Sequence, residues 1–454
     1  MSSTITAIST ANGAGGIGVI RISGENAFLI TDKIFKNING KKVVDMKGYT
    51  AAYGHIYNGN EKIDEVVITV FKAPHSYTGE NVVEISCHGG LYVTKQVLRA
   101  VISNGAEPAK AGEFTQRAFL NGKMDLSEAE AVMDIISAKG KTEATVALAC
   151  REGKISKEIN KINNILVNSA SHLSAWADYP EEDIPEVNNN NLKTDLLSAK
   201  KMINSLLENY DAGMIIKNGI DTIIVGKPNV GKSTLMNLLT GYEKSIVTDI
   251  PGTTRDIIEE TVVLGDVTLN LSDTAGLRDT DNIVEKIGVE RARNKINTSS
   301  LVLAVFDATQ ELNNEDVNLL KSISGLKSIA IINKTDKESI IDIDYIKSYI
   351  KNVVLISAKS GDGTDKLVDM IEHITGTADF NPSSATLATE RQRDCAVKAL
   401  NAIDEAINAI ELGFTLDAIT VSIEDAIQSI LEITGERVSE VVVHNVFSKF
   451  CVGK

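Results

Sequence analysis

The segment GKPNVGKS, residues 226–233, constrains what this chain can fold into more than any other stretch. It fits the spacing GxxxxGK[ST], and it lies between an apolar run, IDTIIV, and a helix-forming run, TLMNLLTG. Strand, glycine-rich loop and helix in that order are the context the motif demands. Glycines let successive backbone N–H groups curl around phosphate oxygens at the positive end of a helix. The spacing therefore predicts a phosphate cradle built from Asn229, Val230, Gly231, Lys232, Ser233 and Thr234, with Lys232 on the β and γ oxygens and the Ser233 hydroxyl on Mg2+.

Further segments follow in the order that a guanine-nucleotide switch requires. TDIPGTTRD, residues 248–256, supplies a first switch from Thr248, Asp249, Ile250, Pro251, Gly252, Thr253 and Thr254, with Thr254 as the second ligand on the Mg2+ side. DTAG, from Asp273 and Thr274 to Ala275 and Gly276, ends the strand VTLNLS and senses the γ-phosphate. NKTD brings Asn333, Lys334 and Asp336, whose carboxylate can accept from the N1–H and N2–H2 groups of guanine, a pairing adenine does not offer. SAK, Ser357, Ala358 and Lys359, closes the base pocket. The nucleotide is expected to be GTP. The residue after DTAG raises a question, because many such enzymes carry a water-positioning glutamine there and this chain has Leu277.

At 454 residues the chain exceeds one typical core, so several domains are expected. Residues 1–120 mix short β-type runs, GVIRIS, EVVITVF and NVVEIS, with Gly and Asn turns, which predicts an α+β unit. Residues 121–215 turn helical, with Leu126, Ala129, Val132, Met133 and Ile136 on one predicted face. Residues 216–378 alternate strands and helices, the pattern of a parallel-sheet P-loop (Ras-like) G domain. Residues 379–454 return to helix, over 388–412 and 416–434, ended by Gly413 and Gly435. The pattern suggests an α/β domain inserted into one discontinuous helical domain, although two separate helical units would produce it too. The fold class expected is thus multidomain, α/β plus α.

Charge narrows the function. A net charge of −15 argues against a general nucleic-acid coater or a binder of anionic membranes, while leaving room for a local basic groove. Cys87, Cys150, Cys395 and Cys451 lie far apart without CxxC pairing, which suggests neither a disulfide framework nor a zinc site and fits a reducing compartment. The start MSSTITAISTANGAGG has no signal-peptide pattern and no apolar run reaches membrane-spanning length, so a cytoplasmic protein is expected. A second glycine cluster, GAGGIG at 13–18, satisfies GxGxxG, but the β-patterned VIRIS that follows does not open a helix, so a plain glycine-rich turn is preferred.

The flanks carry a resemblance. GKPNVGKST, TDIPGTTRD, DTAGLRD and NKTD, taken with GVIRISG, TGENVVEISCHGG, GEFTQRAFLNGKMDLSEAEA and the final FCVGK, resemble the tRNA-modification GTPase MnmE (TrmE) family along the whole chain. The flanking motifs are far more specific than the nucleotide motifs. The resemblance implies a dimerising N-terminal domain that binds 5-formyl-tetrahydrofolate or a related one-carbon folate, a discontinuous helical domain and an inserted G domain. It further implies a homodimer partnered with the flavoprotein MnmG, modifying carbon 5 of the wobble uridine of certain tRNAs.

By the same resemblance the folate contacts are Arg21, Glu84, Lys123 and Lys454. A carboxylate suits the N–H donors of a pterin, and cationic side chains suit the glutamate tail of folate. Without the resemblance each reads as a solvated surface charge, and Cys451 as a small buried thiol. The family's cysteine position gives Cys451 a role near the folate or RNA that stays open. Glu285, twelve residues after Asp273, matches the family's catalytic glutamate, which acts through a bridging water. Asn229 resembles the family's potassium-binding asparagine, with Thr248, Ile250 and Thr253 as further oxygen ligands for K+, while Arg255 and Arg278 are rivals for the charge-stabilising role. A competing class is a GTP-switched assembly factor for ribosome or RNA that does no modification chemistry.

Overall fold

The structure, a computed structural model, describes residues 3–11, 13–178, 189–241, 259–265, 267–272, 296 and 298–454. Two compact units divide the chain, one formed by Met1–Met133, Ser156–Leu192 and Asn401–Lys454, the other by Asp134–Ile155 and Lys193–Leu400.

In the first unit, seven strands form one sheet: β1 (Ile5–Ile8), β2 (Ile17–Ser23), β3 (Phe35–Asn37), β4 (Thr50–Asn58), β5 (Glu61–Phe71), β6 (Val82–His88) and β7 (Glu107–Pro108). Their order is β3-β4-β5-β6-β2-β1-β7, antiparallel throughout except for the parallel β1–β7 pair. The strands alternate with period two, as a sheet covered on one face requires. Ile20, Ile22, Ile56, Ile68, Val83 and Ile85 point into a core closed by the helices Ala27–Ile34 and Leu91–Ser103. The glycine cluster at 13–18 follows the short strand β1 and leads into β2, not into a helix, so the dinucleotide geometry is absent.

The helices of this unit bury apolar residues at spacings of three and four. Ile159, Ile162, Leu166 and Leu173 do so along Lys154–Asp178, and Ile419, Ile423, Ala426 and Ile430 along Leu416–Thr434, where Gly435 ends the helix. The helix Leu126–Ser137 departs from its expected face. Leu126 and Ala129 are buried with Val443, Phe447 and Phe450, and Val132 and Met133 are partly covered, but Ile136 is 48% exposed. That cluster covers only the first turns of the helix, so the apolar periodicity outruns its partner.

In the second unit, six strands form a sheet of order β13-β12-β11-β8-β10-β9, from β8 (Ile220–Val225), β9 (Glu259–Leu264), β10 (Val267–Ser272), β11 (Leu301–Asp307), β12 (Ser328–Asn333) and β13 (Val353–Leu355). All neighbours are parallel except the edge pair β9–β10. The central strands β11 and β12 are buried at every position, which explains their unbroken apolar runs. Two cores lie around this sheet, one containing Ile224, Leu235, Leu303, Ile331 and Leu367, the other Ile223, Phe306, Leu320, Ile332 and Ile346.

Candidate functional site

The first candidate site lies in the second unit, where β8 and β12 end. The buried strand β8 delivers the loop 226–231, and the helix Lys232–Gly241 starts immediately after it. Gly231 has φ +100°, and a Cβ there would lie 2.2 Å from the side-chain nitrogen Nδ2 of Asn333, so the close approach demands glycine. That approach is used: Asn333 Nδ2 donates to the Val230 carbonyl at 2.9 Å, and Asn333 Oδ1 accepts the N–H of Lys334 at 2.8 Å and of Ala358 at 2.9 Å. One amide side chain thereby joins the loop to the NKTD and SAK segments.

The residues expected to recognise the base are also linked to one another. Ser357 Oγ donates to Asp336 Oδ1 at 2.9 Å, orienting a carboxylate that stays exposed, and Lys359 is exposed beside the buried Ala358. Lys334 Nζ donates to the Asn229 carbonyl at 2.8 Å. Lys232 Nζ donates to the carbonyls of Gly226 at 2.8 Å and Lys227 at 2.6 Å. Ser233 and Thr234 expose their side chains in the first turn of the helix, where unpaired N–H groups favour an anion. The donor set at this helix start, an ammonium, exposed hydroxyls and backbone N–H groups, is of the kind that fits a polyphosphate with its counter-cation.

Three residues of this site were not legible as motifs. Asp307, the last residue of β11, accepts a hydrogen bond from Lys334 Nζ and is 2% exposed. Burial alone would push its carboxyl up, yet Lys334 and the hydroxyl and N–H of Thr309 together hold it below the usual carboxylate range. Lys227 forms a 2.6 Å ion pair with Asp316, their side chains 14% and 4% exposed. Asp316 also closes the capping box of the helix Asn314–Ile323 by accepting from the Asn313 N–H. The only signals in sequence are a carboxylate ending an apolar strand and an N-x-x-D start to a helix. Thr248, Asp249, Ile250, Pro251, Gly252, Thr253, Thr254, Arg255, Asp273, Thr274, Ala275, Gly276, Leu277, Arg278 and Glu285 lie outside the described residues.

The second candidate site belongs to the first unit. Antiparallel pairing sets Arg21 of β2 opposite Glu84 of β6. Arg21 Nε and one terminal nitrogen reach Glu84 Oε1 at 2.9 and 2.8 Å, and the side chains are 14% and 28% exposed, so neither is the solvated surface charge that its residue type suggests. Arg21 takes Oε1 in both contacts, and Oε2 remains an acceptor. The guanidinium carbon lies over the rings of Tyr77 and Phe114, 5.4 and 5.6 Å from their centres. Its third nitrogen donates to the Gly453 carbonyl at 3.4 Å. Lys454 therefore sits near Arg21 and Glu84; burial first, and repulsion by Arg21 second, push its amine below the ordinary lysine range, with Glu84 opposing.

Lys123 is placed differently. Its Nζ donates to the Pro74 carbonyl at 3.1 Å and it is exposed. Cys451 is exposed, against the small-buried-thiol expectation, whereas Cys87, Cys150 and Cys395 are buried. The expectation fails because the segment from Cys451 to Lys454 lies over the surface and only Gly453 in it is buried. Among the described residues no cluster of three His, Cys, Asp or Glu could hold a metal, and no helix is long and apolar enough to cross a membrane.

Two family models together match most of the chain. Residues 4–123 match the family model described as the GTP-binding protein TrmE N-terminus, and residues 126–451 match the MnmE helical domain. A curated relative, the tRNA modification GTPase MnmE of Alkaliphilus metalliredigens, is 41% identical over 459 residues, covering 100% of both chains. Its counterpart from Clostridioides difficile is 41% identical over 454 residues, covering 99% of each. Among solved structures, the G domain of the T. maritima FeoB iron transporter is 28% identical, with 34% of this chain and 98% of that chain covered and a TM-score of 0.27.

Proposed function

The chain belongs to the family of the tRNA modification GTPase MnmE, and from that premise we propose that it is a potassium-stimulated GTPase acting with the flavoprotein MnmG. In this reading the complex modifies carbon 5 of the tRNA wobble uridine, position 34, adding an aminomethyl or carboxymethylaminomethyl group with a one-carbon unit from a tetrahydrofolate. As a member of the family the chain is a GTP hydrolase. The observation that carries the finer reading is the coexistence, in one chain, of the Asn333-linked nucleotide cradle and the half-buried Arg21–Glu84 pair with Lys454 beside it.

In the cradle, we assign Lys232 to the β and γ oxygens, Ser233 and Thr254 to Mg2+, and Asp336 to guanine. Polyphosphate oxygens would take over the Lys232 donors now held by two loop carbonyls. Phosphoryl transfer needs charge neutralised and a water aimed in line. We assign the first to K+ held by Asn229, Thr248, Ile250 and Thr253, and the second to Glu285. With saturating GTP, Glu285→Ala is expected to abolish turnover while nucleotide binding persists, and Na+ in place of K+ to suppress hydrolysis. Equal rates in the two ions would transfer the role to Arg255 or Arg278.

In the first unit, we assign the N–H donors of the pterin to Glu84, whose Oε1 takes both contacts of Arg21 and whose Oε2 is left to accept from the ligand. Dimerisation through residues 1–120 is supported by the sheet face opposite the core, where the rows Val19–Ser86–Val67–Tyr53 and Ile17–His88 leave Ile17, Tyr53 and Val67 exposed. The proposed domains are 1–120, 121–215 with 379–454, and 216–378, in a cytoplasmic protein. Mass spectrometry of digested tRNA from cells lacking the protein tests the whole reading. A missing 5-substituted wobble uridine is the expected result, and an unchanged nucleoside profile would favour the assembly-factor class.

A further inference from the structure

The last four residues of the sequence hold a defined path. The Ser9 hydroxyl donates to the Gly453 carbonyl at 3.1 Å, and Arg21 donates to the same oxygen at 3.4 Å. Val452 pairs with Ala111 in an antiparallel bridge, and the Gly112 N–H reaches the Cys451 carbonyl at 3.4 Å. Gly453 has φ +100°, and a Cβ there would lie 2.2 Å from the Ile8 carbonyl oxygen, so the segment lies flat against the end of β1 only because residue 453 has no side chain. Nothing in the spacing of Ser9 and Gly453, 444 residues apart, announces the contact.

We propose that Ser9 and Gly453 are positioning residues of the folate site: the Ser9 hydroxyl and the Arg21 guanidinium clamp the Gly453 carbonyl and so dock Cys451–Lys454 beside the Arg21–Glu84 pair. The inference rests on the folate reading given above for the purpose of the docking, but not for the docking itself. It also changes the part played by Arg21. Its hydrogen bonds go to Glu84 and Gly453, and its guanidinium carbon lies over the rings of Tyr77 and Phe114, so it orders the protein side of the site and leaves the ligand to Lys454 and Glu84.

Cys451 is the one exposed cysteine of the four, so a thiol-specific nitroxide on the full-length chain reports the motion of this segment. A slow-motion spectrum is expected for the unsubstituted protein and for Ser9→Thr, which keeps the hydroxyl. Ser9→Ala and Gly453→Ala are expected to give a mobile spectrum with an unchanged thermal midpoint. Calorimetry with 5-formyl-tetrahydrofolate on the unlabelled proteins is expected to show a roughly threefold to tenfold loss of affinity for Ser9→Ala, the scale of one hydrogen bond, and a larger loss for Gly453→Ala. An immobile label in Gly453→Ala overturns the docking. A mobile label with undiminished folate affinity overturns the positioning role. Should the label respond as expected while the unsubstituted protein binds no folate, the docking stands and the folate reading falls.

Discussion

The nucleotide cradle and the Arg21–Glu84 site both hold charged side chains away from water with partners in place, and they assemble by opposite routes. The cradle draws on strand ends of a parallel sheet, which by geometry emerge on one side, so short contiguous motifs arrive together. The second site draws on residues 9, 21, 84 and 451–454, joined by antiparallel register and by the return of the last segment of the chain. Local backbone conformation builds the first. Pairing between distant segments builds the second. The contrast is incomplete, because the cradle too is braced from a distance, by Asn333 on Val230, by Lys227 on Asp316 and by Lys334 on Asp307.

That exception offers the largest expected effect. Asp316→Asn leaves the Lys227 ammonium in a nearly closed setting without its counter-charge, and breaking such a pair costs about 3 to 5 kcal/mol. Urea unfolding of the full chain measures it, followed by a probe in the second unit. The apolar double replacement Lys227→Met with Asp316→Leu is expected to recover most of the loss, since it removes both charges. A loss for Asp316→Asn below about 1 kcal/mol, the scale of a solvent-exposed pair, would mean that the Lys227–Asp316 pair does not brace the cradle.

A smaller effect sharpens the local side of the comparison. Asp336→Asn exchanges an acceptor-only carboxylate for an amide that presents a donor to the base, at an expected cost of about 2 to 4 kcal/mol in GTP affinity. Affinity for xanthosine triphosphate should rise in return. Titration of both nucleotides checks this, and undiminished GTP affinity would place the base pocket elsewhere. Because Ser357 orients the carboxylate from within the SAK turn, Ser357→Ala should weaken GTP binding without reversing the base preference.

The smallest expected effect belongs to the sheet of the first unit. Asp64 accepts from the His88 N–H at 2.8 Å and lies 2.7 Å from His88 Nδ1, and the hydrogen bond and charge of Asp64 raise the His88 pKa above its ordinary value. A raised folded-state pKa means that the folded chain holds the proton more tightly. The stabilisation is therefore complete below the ordinary value of about 6.5 and is lost as pH rises through the folded pKa. His88 is exposed, so only a slight change of thermal midpoint with pH is expected. An NMR titration of His88 that does not move toward the ordinary value in Asp64→Asn would remove Asp64 as the cause.

Sequence by itself determined what depends on neighbouring residues. The loop 226–233, the apolar runs of β11 and β12 and the helices ended by Gly413 and Gly435 follow from glycine conformations, period and capping, which act over a few positions. The family resemblance named Arg21, Glu84 and Lys454 by their motifs, without saying what each touches. Tertiary structure alone decided that Glu84 faces Arg21, that Asp307 anchors Lys334 and that Ser9 reaches Gly453. It also left Ile136 exposed on a helix whose periodicity pointed it inward. The physical reason is one of range: torsional preference and side-chain period are written residue by residue, whereas a contact across 444 positions exists only after strand register and the docking of a returning segment have brought both ends to the same place.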